Sequence, residues 1–234
     1  VDSLRSEGLP HGLMRDVAAT ITFAALASAL AVGCGVGVAI FVRANRDARA
    51  ALLARMAGLG YAIPGVALAL GLLPLFAVFD RASDVAWRAI AGAPLGLILI
   101  GSGAAVVFAL AIRFLAIAIG GVEAGLARLS PNLDGAARTL GMRERELWRA
   151  VQWPLVRPAL AAAALLVFID AAKELPATLL LRPIGVETLA TSLYGGAARG
   201  QFEEGAVHAL LILLIGLAAA LRLARDSARS IKGP

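Results

Sequence analysis

Asp170, Lys173 and Glu174 stand together at the far end of an apolar run, followed by Pro176 and Thr178. Asp170 and Lys173 are three residues apart, so on a helix they share a face and an ion pair is geometrically available, while Glu174, four from Asp170, adds negative charge. Pro176 lacks a backbone donor and frees groups that must find water or protein partners. Charges near a membrane face are costly without such partners. Two readings stay open on the residues alone: a polar, irregular mouth on a transport path, or charges that end a helix at the headgroups with Arg182 and Glu187 in a solvated loop.

Other chemistries find little support. Cys34 is the single cysteine and sits in an apolar run, which excludes disulfide frameworks and cysteine metal sites. His11 and His208 cannot form a metal cluster alone, and a packed, hydrogen-bonded His208 is the simpler reading than a pathway group. Asp170, Glu174, Glu187, Glu203 and Glu204 are hard oxygen donors, yet they read as surface charges, and no metal site is assigned. No GxxxxGK[ST] phosphate loop occurs, and Lys173 and Lys232 are the only lysines. The chain is therefore expected to be neither an ATPase nor another enzyme, and to need no cofactor.

The elements that must position these residues are membrane helices. Of 234 residues, 60% are apolar and 16% charged, with a net charge of +6 carried almost wholly by arginines between and after hydrophobic runs. That distribution speaks of membrane topology rather than of nucleic acid. The fold class is all-α: a polytopic helix bundle of about five spans, 17–42, 56–79, 89–112, 155–175 and 205–221, since roughly 20 residues cross a hydrocarbon core of about 30 Å. Residues 114–122 read as the third helix overrunning Arg113 into the interface. Residues 1–16 form an outer N-terminal segment, 17–224 the transmembrane domain and 225–234 an inner tail. With the loop at 130–154 inside, inner segments hold 15 arginines and lysines against 7 outside, the bias of a cytoplasmic loop. Val1 then lies outside, and VDSLRSEGLP lacks the basic region and apolar core of a signal peptide, so at least one upstream helix is expected.

That loop, SPNLDGAARTLGMRERELWRAVQWPLVRP (130–158), is a charged island between apolar flanks. Ser130 and Pro131 suit a helix start, Asp134 its positive end, and Gly141 its C-terminal cap. A second amphipathic turn is expected from Arg143 to Val151, with Pro154 and Pro158 marking its exit. As physics alone, a basic amphipathic helix on lipid headgroups is the competing account.

The spacing Ala136-Ala137, three residues, Gly141, nine residues, Val151-Gln152-Trp153-Pro154 resembles the cytoplasmic loop of type I ABC-importer permeases, with Gly135 at the family's glutamate position and Trp153 in place of leucine. The resemblance implies a coupling helix that docks on a separate ATP-hydrolysing subunit. Asp134, Gly135, Ala136, Ala137 and Gly141 would shape it, with Arg143 and Arg145 on the ATPase or lipid phosphates. KELPATLLLRP (173–183) followed by ETLAT (187–191) is similar to the ferric-iron branch, in which two halves are commonly fused, and this chain resembles the second half. That favours the mouth reading for Asp170, Lys173, Glu174, Pro176 and Thr178. It implies ferric iron as cargo and, as partners, ABC ATP-binding subunits, an extracytoplasmic binding protein, a second permease half fused upstream and membrane lipid, in a bacterial inner membrane. A thiamine, phosphonate or other small-solute importer is the alternative within the class. An ion-driven secondary transporter lies outside it and would favour a mid-membrane carboxylate or histidine, which the expected first three spans lack.

Overall fold

The computed structural model describes residues 12–45, 47–127, 129, 139 and 141–232. It is all-helical among those residues, with five helices long and apolar enough to cross a membrane. α1 (Leu13–Ala44), α4 (Gly103–Ala127) and a long composite α5 (144–172) pack as a three-helix centre. Its buried side chains include Ala24, Ala27, Ala31, Val106, Ala109, Leu110, Phe114 and Val167. Small residues set the spacing. A Cβ on Gly121 would lie 2.5 Å from the Ala163 Cβ, and one on Gly125 2.7 Å from the Ala159 Cβ, so α4 and α5 approach as closely as glycine allows. Across the same centre the Ser28 hydroxyl donates to the Ala164 carbonyl at 2.6 Å, joining α1 to α5.

The second and third crossings are displaced from the charge-free windows. Residues 56–79 do not form one helix. α2 (Ala48–Ala57), capped by Asp47 accepting from the Ala50 amide, leads into a 3-10 turn, Gly58–Tyr61, and the chain breaks at 62–64 before α3 (Gly65–Ala91) begins. Pro64 stands immediately before α3, where its missing donor costs nothing. Asp80, Arg81, Asp84 and Arg88, expected in an outer segment, ride on α3 instead. The run 89–112 is also divided. α3 ends on Gly92 at φ +68°, a left-handed cap that glycine adopts without strain, and 93–102 is non-helical. The third crossing is α4, so residues 114–122 are its inner half and Arg113 lies ten residues within it. Nor are the first helices free of carboxylates: Asp16 lies on α1, and Asp80 and Asp84 on α3.

Asp80 accounts for the shape of the 92–102 loop. It is 1% exposed and accepts the backbone amides of Ile98, Leu99 and Ile100 at 2.9–3.1 Å. Asp84, one turn later, accepts those of Leu95 and Gly96 and pairs with Arg88 at 2.7 Å.

α5 runs from Glu144–Leu147 through a π-helical turn, Trp148–Gln152, into Trp153–Ala172. The expected exit at Pro154 is absent. Pro154 falls in the first α turn after the π segment, where its missing donor is tolerated, and Pro158 is carried inside the helix. α5 stops at Ala172. Beyond Lys173 to Leu175, Pro176 opens α6 (Pro176–Leu181), followed by α7 (Leu189–Ala198), whose Thr188–Thr191 capping box is complete, and α8 (Phe202–Lys232).

Candidate functional site

Two interrupted helices meet at Arg113. The 58–64 segment climbs along α4: a Cβ on Gly58 would touch Ala116 at 3.5 Å, and one on Gly60 would come within 2.4 Å of the Ile112 carbonyl oxygen. This carries Ile63, at the break, to the guanidinium, and Arg113 Nη1 donates to its carbonyl at 2.6 Å. From the other side comes the break after α5. Glu174 Oε2 lies 3.3 Å from Arg113 Nε, with 9% and 18% of the two side chains exposed. The buried Nε–H makes no hydrogen bond, so the contact is an ion pair without aligned donor geometry. Glu174 Oε1 accepts the Ala177 amide at 3.3 Å, in the first turn of α6. One carboxylate thus serves a helix start and a cation on another helix. Gly65 makes room for it, because a Cβ there would fall 2.6 Å from Oε1 and 3.2 Å from the Pro176 Cβ.

The remaining charges at this end make local contacts. Lys173 pairs with Asp170 at 2.8 Å, 59% and 26% exposed, and Arg182 pairs with Glu187 while donating to the Val186 carbonyl. Thr178 is buried beside a cavity of about 10 Å³, room for one water, that Thr20, Glu174 and Thr188 also line. Farther out, buried His208 lies 3.5 Å from Asp16 Oδ2 through Nε2 and 2.8 Å from the Glu204 carbonyl through Nδ1, and Ser192 donates to the same Asp16 oxygen at 2.6 Å. His208 is thus packed and hydrogen-bonded. Among the described residues, no three His, Cys, Asp or Glu side chains gather as metal ligands.

At the opposite end lies the loop. Asp134, Gly135, Ala136 and Ala137 fall outside the described residues. Gly141 has φ +76°, the left-handed conformation that ends helices on glycine. Two residues later the Arg143 amide donates to Glu146 Oε2 at 3.0 Å and the Arg143 carbonyl accepts from Glu146 and Leu147, which starts α5. Arg143 and Arg145 are exposed, Leu147 is buried, and Trp148 packs on a second core of Val122, Leu126, Leu129, Val156 and Leu160. Arg145 of this short helix is exposed, while Leu147 and Trp148 face the bundle. A crevice of about 570 Å³ opens between α2, the 3-10 turn and the inner half of α4, with Arg55, Tyr61 and Glu123 on its walls.

The model of the binding-protein-dependent transport system inner membrane component family matches residues 16–230. The chain belongs to this family. It is the membrane permease of an ABC importer, a multi-pass protein of the bacterial inner membrane, and the family's members are membrane components rather than catalysts. The putative 2-aminoethylphosphonate transport system permease of Salmonella typhimurium is 28% identical over 94% of this chain and 77% of its own length. An Fe(3+)-transport system permease of Haemophilus influenzae is 31% identical, over 40% of this chain and 18% of its own length. In fold, the permease resembles the inward-facing MetNI methionine ABC transporter, with a TM-score of 0.64, 19% identity and coverage of 92% of this chain and 95% of that one.

Within this permease the expected mouth residues divide. Asp170 and Lys173 pair as their spacing allows, whereas Glu174 leaves them for Arg113. Arg113, Ile63 and Gly65 were not legible as partners of Glu174. A lone arginine between two apolar stretches was the available signal, and it reads equally well as the end of a span.

Proposed function

We propose that this permease carries a small phosphonate-type solute. The observation that carries this reading is coverage: the 2-aminoethylphosphonate relatives align along nearly the whole chain, the iron relative along less than half of it. ATP binding and hydrolysis occur on partner subunits, and 134–151 delivers their motion to α5, with Asp134, Gly135, Ala136, Ala137 and Gly141 shaping the docking element and Arg143 and Arg145 on its exposed side. An extracytoplasmic binding protein hands over the solute at the opposite end, where Asp170, Lys173, Glu174, Pro176 and Thr178 border the path. A second permease half, fused or separate, completes it. Ferric iron is the second reading, favoured by the KELPATLLLRP stretch and the partial likeness to the iron permease.

The test is uptake into cells that express the complete transporter, with radiolabelled 2-aminoethylphosphonate and ferric iron offered separately. Phosphonate uptake that is lost in Gly141→Asp, with the variant still inserted but purifying without its ATPase, is the expected result. Iron uptake without phosphonate uptake transfers the assignment to the second reading.

A further inference from the structure

Arg113 is an ionised side chain within a segment of α4 that is otherwise uncharged from Gly103 to Val122. Such a group is costly in a membrane, and pairing it with Glu174 does not turn that cost into stability, because a desolvated ion pair does no better than apolar or neutral side chains of similar size. The missing hydrogen bond at Nε lowers its worth further. What the pair does possess is position. Each partner also holds an open backbone group of an interrupted helix, Arg113 the Ile63 carbonyl before α3 and Glu174 the Ala177 amide of α6. In lipid those groups need a partner inside the protein.

We propose that Arg113 and Glu174 are positioning residues of the transport cycle: their ion pair registers the two helix breaks against each other in the state seen here and parts when the bundle changes its direction of access. The breaks at 62–64 and 173–175 are where α3 and the α5–α6 pair can change direction without breaking helical hydrogen bonds, so a separable contact between them selects which pair of directions is populated. The pair links α4, whose inner half leads to the coupling loop, to both breaks near the middle of that helix.

The test uses the full transporter with its ATPase in liposomes and Cys34 replaced by serine, so that spin labels on Ala62→Cys and Leu180→Cys report the separation across the breaks. Glu174→Gln alone leaves the Arg113 charge unpaired and is prone to misfold. The informative variant is Arg113→Gln/Glu174→Gln, which keeps a donor toward Ile63 and an acceptor toward Ala177 without buried charge. The expected result is a wild-type label separation that changes between nucleotide-free and vanadate-trapped states by an amount on the order of one helical turn, about 5 Å. The double variant assembles with its ATPase but gives the same broad distribution in both states. A wild-type separation that stays constant would overturn the proposal. So would a double variant that switches like wild type, or one that cannot assemble, which places the pair in folding alone. None of these readouts depends on the cargo.

Discussion

Lys173 reaches back one helical turn to Asp170 at the surface, while Glu174, the next residue, turns into the bundle and meets Arg113 on another helix. The first pair is local, half in solvent, and formed by a spacing that any helix would bring together. The second has no sequence spacing at all and exists because two helix interruptions and one arginine converge. The comparison teaches that the cost of a charge follows its surroundings and not its place in a motif: exposed pairs contribute about 0–1 kcal/mol, whereas removing one partner of a buried pair costs about 3–5 kcal/mol.

The largest break in that comparison is Arg113→Ala, which strands the Glu174 carboxylate and the Ile63 carbonyl. We expect a destabilisation at the upper end of that range, read as a sharp fall in the thermal midpoint of the detergent-purified complex or as failure to accumulate in the membrane. Asp80→Ala follows, since it leaves three backbone amides unpaired at roughly 1 kcal/mol or more each, and proteolysis of the 92–102 loop should rise with the lost midpoint. Gly65→Ala sharpens the comparison without touching a charge. Its methyl must displace the Glu174 carboxylate and crowd Pro176, and we expect a loss of about 1–3 kcal/mol, smaller in a Glu174→Ala background, where only the Pro176 contact remains. Smallest of all is Lys173→Ala, expected to move the midpoint by less than about 1 kcal/mol; a loss as large as that of Arg113→Ala would erase the distinction between the two pairs.

The helical class, the number of crossings and the permease family were legible because they rest on composition and on a fixed spacing. The bounds of the second and third crossings were not. Charge-free windows suggest helices, but charges such as Asp80 and Arg113 sit within helices because backbone amides or a distant carboxylate partner them. The true interruptions carry no charge: Gly58, Gly60 and Pro64 before α3, and Gly92, Pro94, Gly96 and Gly101 after it. In an apolar chain, glycine and proline mark the breaks better than arginine does. The Arg113–Glu174 contact stayed hidden for a related reason, since its partners become neighbours only once those breaks are placed.

The π turn at Trp148–Gln152 puts a phase shift into α5. An α-helix advances about 100° per residue, and a π turn spends about one residue more per turn, so the face of Glu144–Leu147 and the face of Trp153–Ala172 are offset around the common axis. The inner end of α5 therefore presents a different side to its surroundings from the one a straight helix would present. The angle between the two faces is fixed by five residues, independent of the length of the helix on either side.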